Sequence, residues 1–143
     1  MHILIPIKDK EKSIKNIKEI LEKITITQIT LVTVTTIPTL EFLPQQIIKK
    51  DYENQLKNYG QDILNHTKKE LEKIYPNIKI NQISKIGNSG EEIEKIIKND
   101  KSIDHVILVK SNGNTLDHLV TGDTIKHVIK NTNVPITILP NKD

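Results

Sequence analysis

The sequence predicts a three-layer α/β sandwich on a five-stranded parallel sheet, and three observations carry that prediction. Stretches rich in Ile, Val and Thr alternate along the chain with stretches whose apolar residues recur every three or four positions, so strands alternate with helices. The first strand-like run, Ile3-Leu4-Ile5-Pro6-Ile7, is apolar almost throughout, as a strand covered on both faces must be. Strands joined by helical crossovers pair in parallel, because a parallel neighbour is reached only by such a crossover, and the crossover is right-handed.

Each element has its own signal. Ile14, Ile17, Ile20, Leu21 and Ile24 mark an amphipathic first helix that Ser13 or Asp9 can begin. Gln28 to Ile37 is β-branched throughout and reads as the second strand. Pro38 and Pro44 punctuate the next loop. A long helical pattern then runs through Ile48, Tyr52, Leu56, Tyr59, Ile63, Leu71 and Ile74 and stops at Tyr75-Pro76, since the residue before a proline is disfavoured in helix. Ile78 to Ile86 alternates at period two, the mark of a half-exposed third strand. Ser89-Gly90-Glu91-Glu92 reads as a capping box, with Ser89 accepting from the amide of Glu92. Ile93, Ile96 and Ile97 give the third helix its buried stripe, and Val106 to Val109 is the fourth strand. Ile125, Val128 and Ile129 mark the fourth helix, and Val134 to Pro140 the fifth strand. Residues 1–143 show no domain boundary and no internal repeat, so a single domain is expected.

Composition narrows the function. There is no Cys, which excludes disulfides, thiolate metal sites and cysteine nucleophiles. The 21 basic residues are all Lys, against 18 acids, for a net charge of +3. Without Arg the chain lacks the forked donor that reads guanine edges and clamps phosphates, so nucleic acid is not an expected partner. No apolar stretch reaches the ~18–20 residues that span a bilayer. "MHILIPIKDKEK" reads as a first strand, not a signal peptide, so a cytoplasmic protein with no membrane partner is expected.

The chemistry is expected at the C-terminal strand ends, where open α/β sheets bind ligands at the reversal of strand order. Lys8-Asp9 follows the first strand there, and "VKSNGNTLDHLVTGDT", Val109 to Thr124, follows the fourth. Small and amide residues between a strand and a helix are what a phosphate-binding loop is made of.

These segments resemble the universal stress protein family. "ILIPIKDKEKS" is similar to its opening, usually a strand ending Pro-Val-Asp followed by Gly-Ser. "KIGNSGEEIEKIIKN" resembles its Gly-x-Pro-x-x-x-Ile segment, and "IDHVILVKSNGNTLDHLVTGDTIKHVIKNTNVPITILP" its C-terminal third. The likeness implies an adenine nucleotide alpha hydrolase-like, Rossmann-like sheet of order 3-2-1-4-5 and a role in stress survival. It also implies homodimers through the fifth strand and no catalytic reaction for most members. An antiparallel pairing of the apolar edge Val134–Pro140 with its copy fits that expectation, an edge covered by the chain's own loops being the other arrangement.

The family's ATP-binding members carry Gly, two residues, Gly, nine residues, Gly, then Ser or Thr. Aligned on Gly122, those positions fall on Val109, Asn112, Gly122 and Asp123, with Gly113 one place out of register. The Asp that ends the family's first strand corresponds to Lys8. The resemblance implies nucleotide-binding positions at Pro6, Ile7, Lys8 and Val34. It implies further ones at Leu108, Val109, Asn112, Gly113, Gly122, Asp123 and Thr124. Val109 blocks the close backbone approach a glycine allows, while Asn112 tolerates left-handed geometry and can keep the turn. Asp123 is expected to cap the fourth helix and to repel a polyphosphate there.

The readings that follow are two. The first is a dimeric stress module with weak or absent ATP binding, working through unknown protein partners without turnover. The second is a switch that keeps ATP or AMP at low affinity in an altered cradle, drawing on Lys8, Lys110 and the hydroxyls and amides of the loop. An enzyme is not expected, for no nucleophile–base pair or metal spacing is visible. The five histidines are scattered; His118 and His127 lie around the cleft, and His2 and His105 flank strands, all expected to be partly exposed.

Overall fold

The computed structural model of the protein describes residues 1–7, 12–35, 46–110 and 121–140. The chain order is β1 His2–Pro6, α1 Lys12–Leu21, β2 Gln28–Thr35, α2 Gln46–Ile74, β3 Lys79–Ile86, α3 Ser89–Asn99, β4 His105–Val109, α4 Gly122–Asn131 and β5 Ile136–Leu139. All four strand pairings are parallel, and the sheet order is β3-β2-β1-β4-β5, so strand order reverses between β1 and β4.

Alternation along the strands splits the core in two. Ile3, Ile5, Ile29, Leu31, Ile107 and Val109 face α1 and α2, where Ile17, Leu21, Ile63, Leu64 and Leu71 meet them. Leu4, Val32, Val34, Val106 and Leu108 face α3 and α4, where Ile93, Ile96, Ile97, Ile125 and Val128 close the other layer. Successive residues of a strand point to opposite faces, so the apolar run of β1 supplies both cores at once. Each fully buried aliphatic side chain is worth ~1.5–3 kcal/mol of transfer.

The start of α3 differs from the capping box expected at Ser89. Asn88 is the cap: it is extended, at φ −82° and ψ 125°, and its side chain accepts from the amide of Glu91. Ser89 is already helical. Asn and Ser cap about equally well, and the backbone decides between them. Gly87, at φ 152°, turns the chain one residue earlier than the sequence pattern suggests. The carboxylate of Glu92 turns beside Gly87 and pairs with Lys95 at 3.5 Å.

His2 also departs from expectation. It is only 4% exposed and belongs to β1, with both ring nitrogens hydrogen-bonded. His105 bonds Thr137 of the neighbouring strand at 2.6 Å. β5 is shorter than the run Val134–Pro140; among the described residues it pairs only with β4, and Ile138 is 42% exposed. No helix among the described residues is long and apolar enough to cross a membrane.

Candidate functional site

Strand order reverses between β1 and β4, the place where open α/β sheets bind ligands, and Pro6 helps to end the β1–β4 ladder there. The amide of His2 donates to the Asp104 carboxylate and its carbonyl accepts from the Asp104 amide, so both face β4. Alternation puts the backbone groups of Leu4 and Pro6 on the same side. Pro6 has no N–H to give, and the β1–β4 register pairs only Ile3 with His105 and Leu4 with Val106. On the other side the β1–β2 ladder runs on through Pro6–Val32, and the Ile7 amide donates to the Val32 carbonyl at 2.8 Å. The Thr33 hydroxyl donates to the Ile7 carbonyl at 3.1 Å and holds this end of β1 to β2.

The expected cleft residues divide between the two cores. Ile7 and Val109 are buried toward α1 and α2, and Val34 and Leu108 toward α3 and α4. Val109 is 2% exposed, and the following amide, that of Lys110, donates to Leu139 of β5 at 2.8 Å. Lys8, Asn112, Gly113 and His118 lie outside the described residues.

The N-terminus of α4 is described, and its cap is not Asp123. Thr121 is the N-cap, extended at φ −75° and ψ 162°, and its hydroxyl accepts from the Thr124 amide at 3.3 Å. Asp123 is the second helical residue, its side chain turned to solvent. Thr before Gly-Asp-Thr is itself a cap signal, three residues ahead of the amide it receives, and the acid at position 123 masks it. Thr124, a residue expected to face a ligand, is 9% exposed, and its hydroxyl is 3.1 Å from that of Thr121.

A Cβ built on Gly122 would meet no atom of the described residues within 4 Å, and its φ is not positive. The backbone does not require glycine here. The residue opens the first turn of α4, where free amides and the helix dipole favour an anion. The charge around it is opposite in sign to that role. Asp123 stands in the first turn of α4, and Glu91 and Glu92 in the first turn of α3.

His127 is turned toward α3. Its Nε2 lies 2.7 Å from Glu94 Oε1, and the other carboxylate oxygen of Glu94 accepts from Lys98 at 2.6 Å. The Lys98 bond, then the His127 bond, holds the Glu94 carboxyl below its ordinary range. The ring lies on Gly90, whose missing side chain lets α3 and α4 approach.

A five-stranded parallel sheet of order 3-2-1-4-5 flanked by helices defines a protein of the doubly wound, Rossmann-like α/β class. The model of the Universal stress protein family matches residues 1–140, and the chain belongs to that family. Universal stress protein MJ0577 of Methanocaldococcus jannaschii is 32% identical over 99 residues, which are 66% of this chain and 59% of the length of that relative. A solved structure of hypothetical protein MJ0577 superposes with a TM-score of 0.77 at 24% identity, covering 99% of this chain and 96% of the other. A universal stress protein family protein from Arabidopsis thaliana, solved with AMP bound, has a TM-score of 0.66 at 12% identity, covering 99% and 92%.

Proposed function

We propose that this protein is a cytoplasmic stress-response module that works by binding partners, without turnover, and has lost tight ATP binding. One observation carries the reading. The position that follows the last glycine of the phosphate loop is Asp123, an exposed carboxylate in the first turn of α4. The nearby Thr124 hydroxyl lies 3.1 Å from that of Thr121 and is 9% exposed, so it presents little surface to a phosphate. Two unit charges ~4 Å apart repel by roughly 1 kcal/mol in water and roughly 4 kcal/mol at an effective dielectric of 20. That range is enough to turn a tight site into a weak one.

The test is direct. Protein purified natively and then denatured should release less than one nucleotide per chain by mass spectrometry. Calorimetric titration should give an ATP Kd no tighter than ~0.1 mM, about −5.5 kcal/mol. Stoichiometric nucleotide overturns the reading in favour of a second one, a switch that holds ATP or AMP. That alternative is supported by the exposed Gly122 at the start of α4 and the end of the β1–β4 ladder at Leu4, and by the AMP in the Arabidopsis protein of the same fold.

The edge formed by Val134–Pro140 is the surface we assign to a homodimer. Ile138 is 42% exposed on a strand paired on one side only among the described residues. Such an edge invites a second strand. Ile138→Lys should convert a dimer to a monomer in light scattering with the thermal midpoint of the fold retained. A wild-type protein that is monomeric at tens of micromolar ends the assignment.

A further inference from the structure

The pole opposite the C-terminal strand ends holds a buried imidazole that nucleotide binding does not use. His2 Nδ1 lies 2.9 Å from Ser102 Oγ, and Nε2 lies 2.7 Å from Thr30 Oγ1. The Ser102 hydroxyl donates to Asp100 Oδ1 at 2.5 Å, and the Ser102 amide donates to the same oxygen at 3.0 Å. These groups tie β1, β2 and the turn between α3 and β4 into one chain of bonds. The turn also closes through Asp104, whose amide donates to the His2 carbonyl at 2.9 Å and whose carboxylate accepts the His2 amide at 2.8 Å.

Donor and acceptor counting sets the direction of every bond. An ionised carboxylate only accepts, so the one proton of the Ser102 hydroxyl goes to Asp100. Ser102 then offers lone pairs to His2, so Nδ1 carries the hydrogen. The neutral ring has its bare nitrogen at Nε2, which receives the Thr30 hydroxyl. The hydrogens of the Ser102 hydroxyl, the ring and the Thr30 hydroxyl each then have an acceptor.

We propose that the Asp100–Ser102–His2–Thr30 chain is an acid-released latch, in which a second proton on His2 opens the turn between α3 and β4. Nε2 is the only ring nitrogen free to take that proton. Once protonated it points a hydrogen at the Thr30 hydroxyl, whose own hydrogen must turn away inside a buried site. The result is a buried cation whose nearest carboxylate in the chain is separated from it by a hydroxyl. A buried charge needs direct pairing or water, and movement of the turn supplies either. The other charged groups on the segments that carry these residues are Asp104, whose carboxylate accepts the His2 amide, Lys101 beside Ser102 in the sequence, and the Met1 ammonium, held by Thr27 at 3.2 Å. Beside the turn, Asp100, Lys101 and Ile103 wall a groove of about 410 Å³ with Ile97, Asn131 and Val134, so release of the turn would widen it.

Long-range proton–nitrogen NMR of the ring, with amide exchange on the same full-length chain, tests the latch. At pH 7.5 the ring should be the neutral Nδ1–H tautomer. Exchange at Ile103 and Asp104, corrected for its intrinsic pH dependence, should rise about tenfold as the ring takes up its second proton. His2→Asn, which cannot titrate, should show no such rise, and Ser102→Ala, at an exposed position, should lose the tautomer preference while remaining folded. An Nε2–H tautomer overturns the proposal, as does ring titration with no change at Ile103 and Asp104. Opening confined to pH below ~4 also overturns it. The carboxyl of Asp100, held low by the Ser102 hydroxyl and amide, would then be the trigger.

Discussion

Lys8→Asp combined with Asp123→Ser should tighten ATP binding at least tenfold, read by calorimetry at low salt. Asp123 stands in the first turn of α4, where the helix dipole and free amides would otherwise draw a phosphate. Removing one carboxylate from that position relieves ~1–4 kcal/mol of repulsion per phosphate charge ~4 Å away, depending on the local dielectric. The Asp at position 8 restores the acceptor that the family's ATP-binding members place beside the nucleoside. Asp123→Ser alone separates the two effects and should account for most of the gain with ATP and less of it with AMP, which carries fewer charges. The gain should shrink as salt rises, because an exposed charge is screened over ~8–10 Å. Unchanged affinity in both variants would refute the electrostatic account of the cleft.

Gly90→Ala should destabilise the fold by ~1–3 kcal/mol, the usual cost of overpacking a tight contact. The thermal midpoint should fall by roughly 3–12 °C for a chain of this size. Helix propensity runs the other way, favouring Ala over Gly by ~0.5–1 kcal/mol, so the sign of the result identifies the dominant effect. A Cβ on Gly90 would stand 2.9 Å from both Cβ and Cγ of His127. His127 cannot swing aside without giving up Glu94, whose carboxylate also receives Lys98. His127→Ala in the Gly90→Ala background should recover part of the loss, since Cγ leaves and Cβ stays. A midpoint that rises in Gly90→Ala would mean that α3 and α4 are not in contact at this point.

Much of the architecture is legible in the residues alone. The run Ile3 to Ile7 has the pattern of a strand buried on both faces, and both cores draw on it. The strand order expected from family likeness agrees with the sheet. Caps are less legible. Asn88 and Ser89 are equally good caps by residue type, and only the positive φ of Gly87 selects Asn88. Thr121 displaces Asp123 in the same way, by backbone geometry just ahead of the acid. The burial of His2 is hidden in the sequence, because a histidine beside a strand gives no local sign of it. Its partners Thr30 and Ser102 lie 28 and 100 residues away along the chain.

The sequence by itself determined the class of the fold, because side-chain periodicity is local and a continuous apolar strand leaves no solution but cover on both faces. It also determined that an acid, Asp123, follows Gly122. Only the tertiary structure decided where that charge sits relative to a cap, where the β1–β4 ladder ends, and which histidine is buried. Each of those depends on which backbone groups meet across the sheet or between helices, and that meeting is set by neighbours distant in the chain.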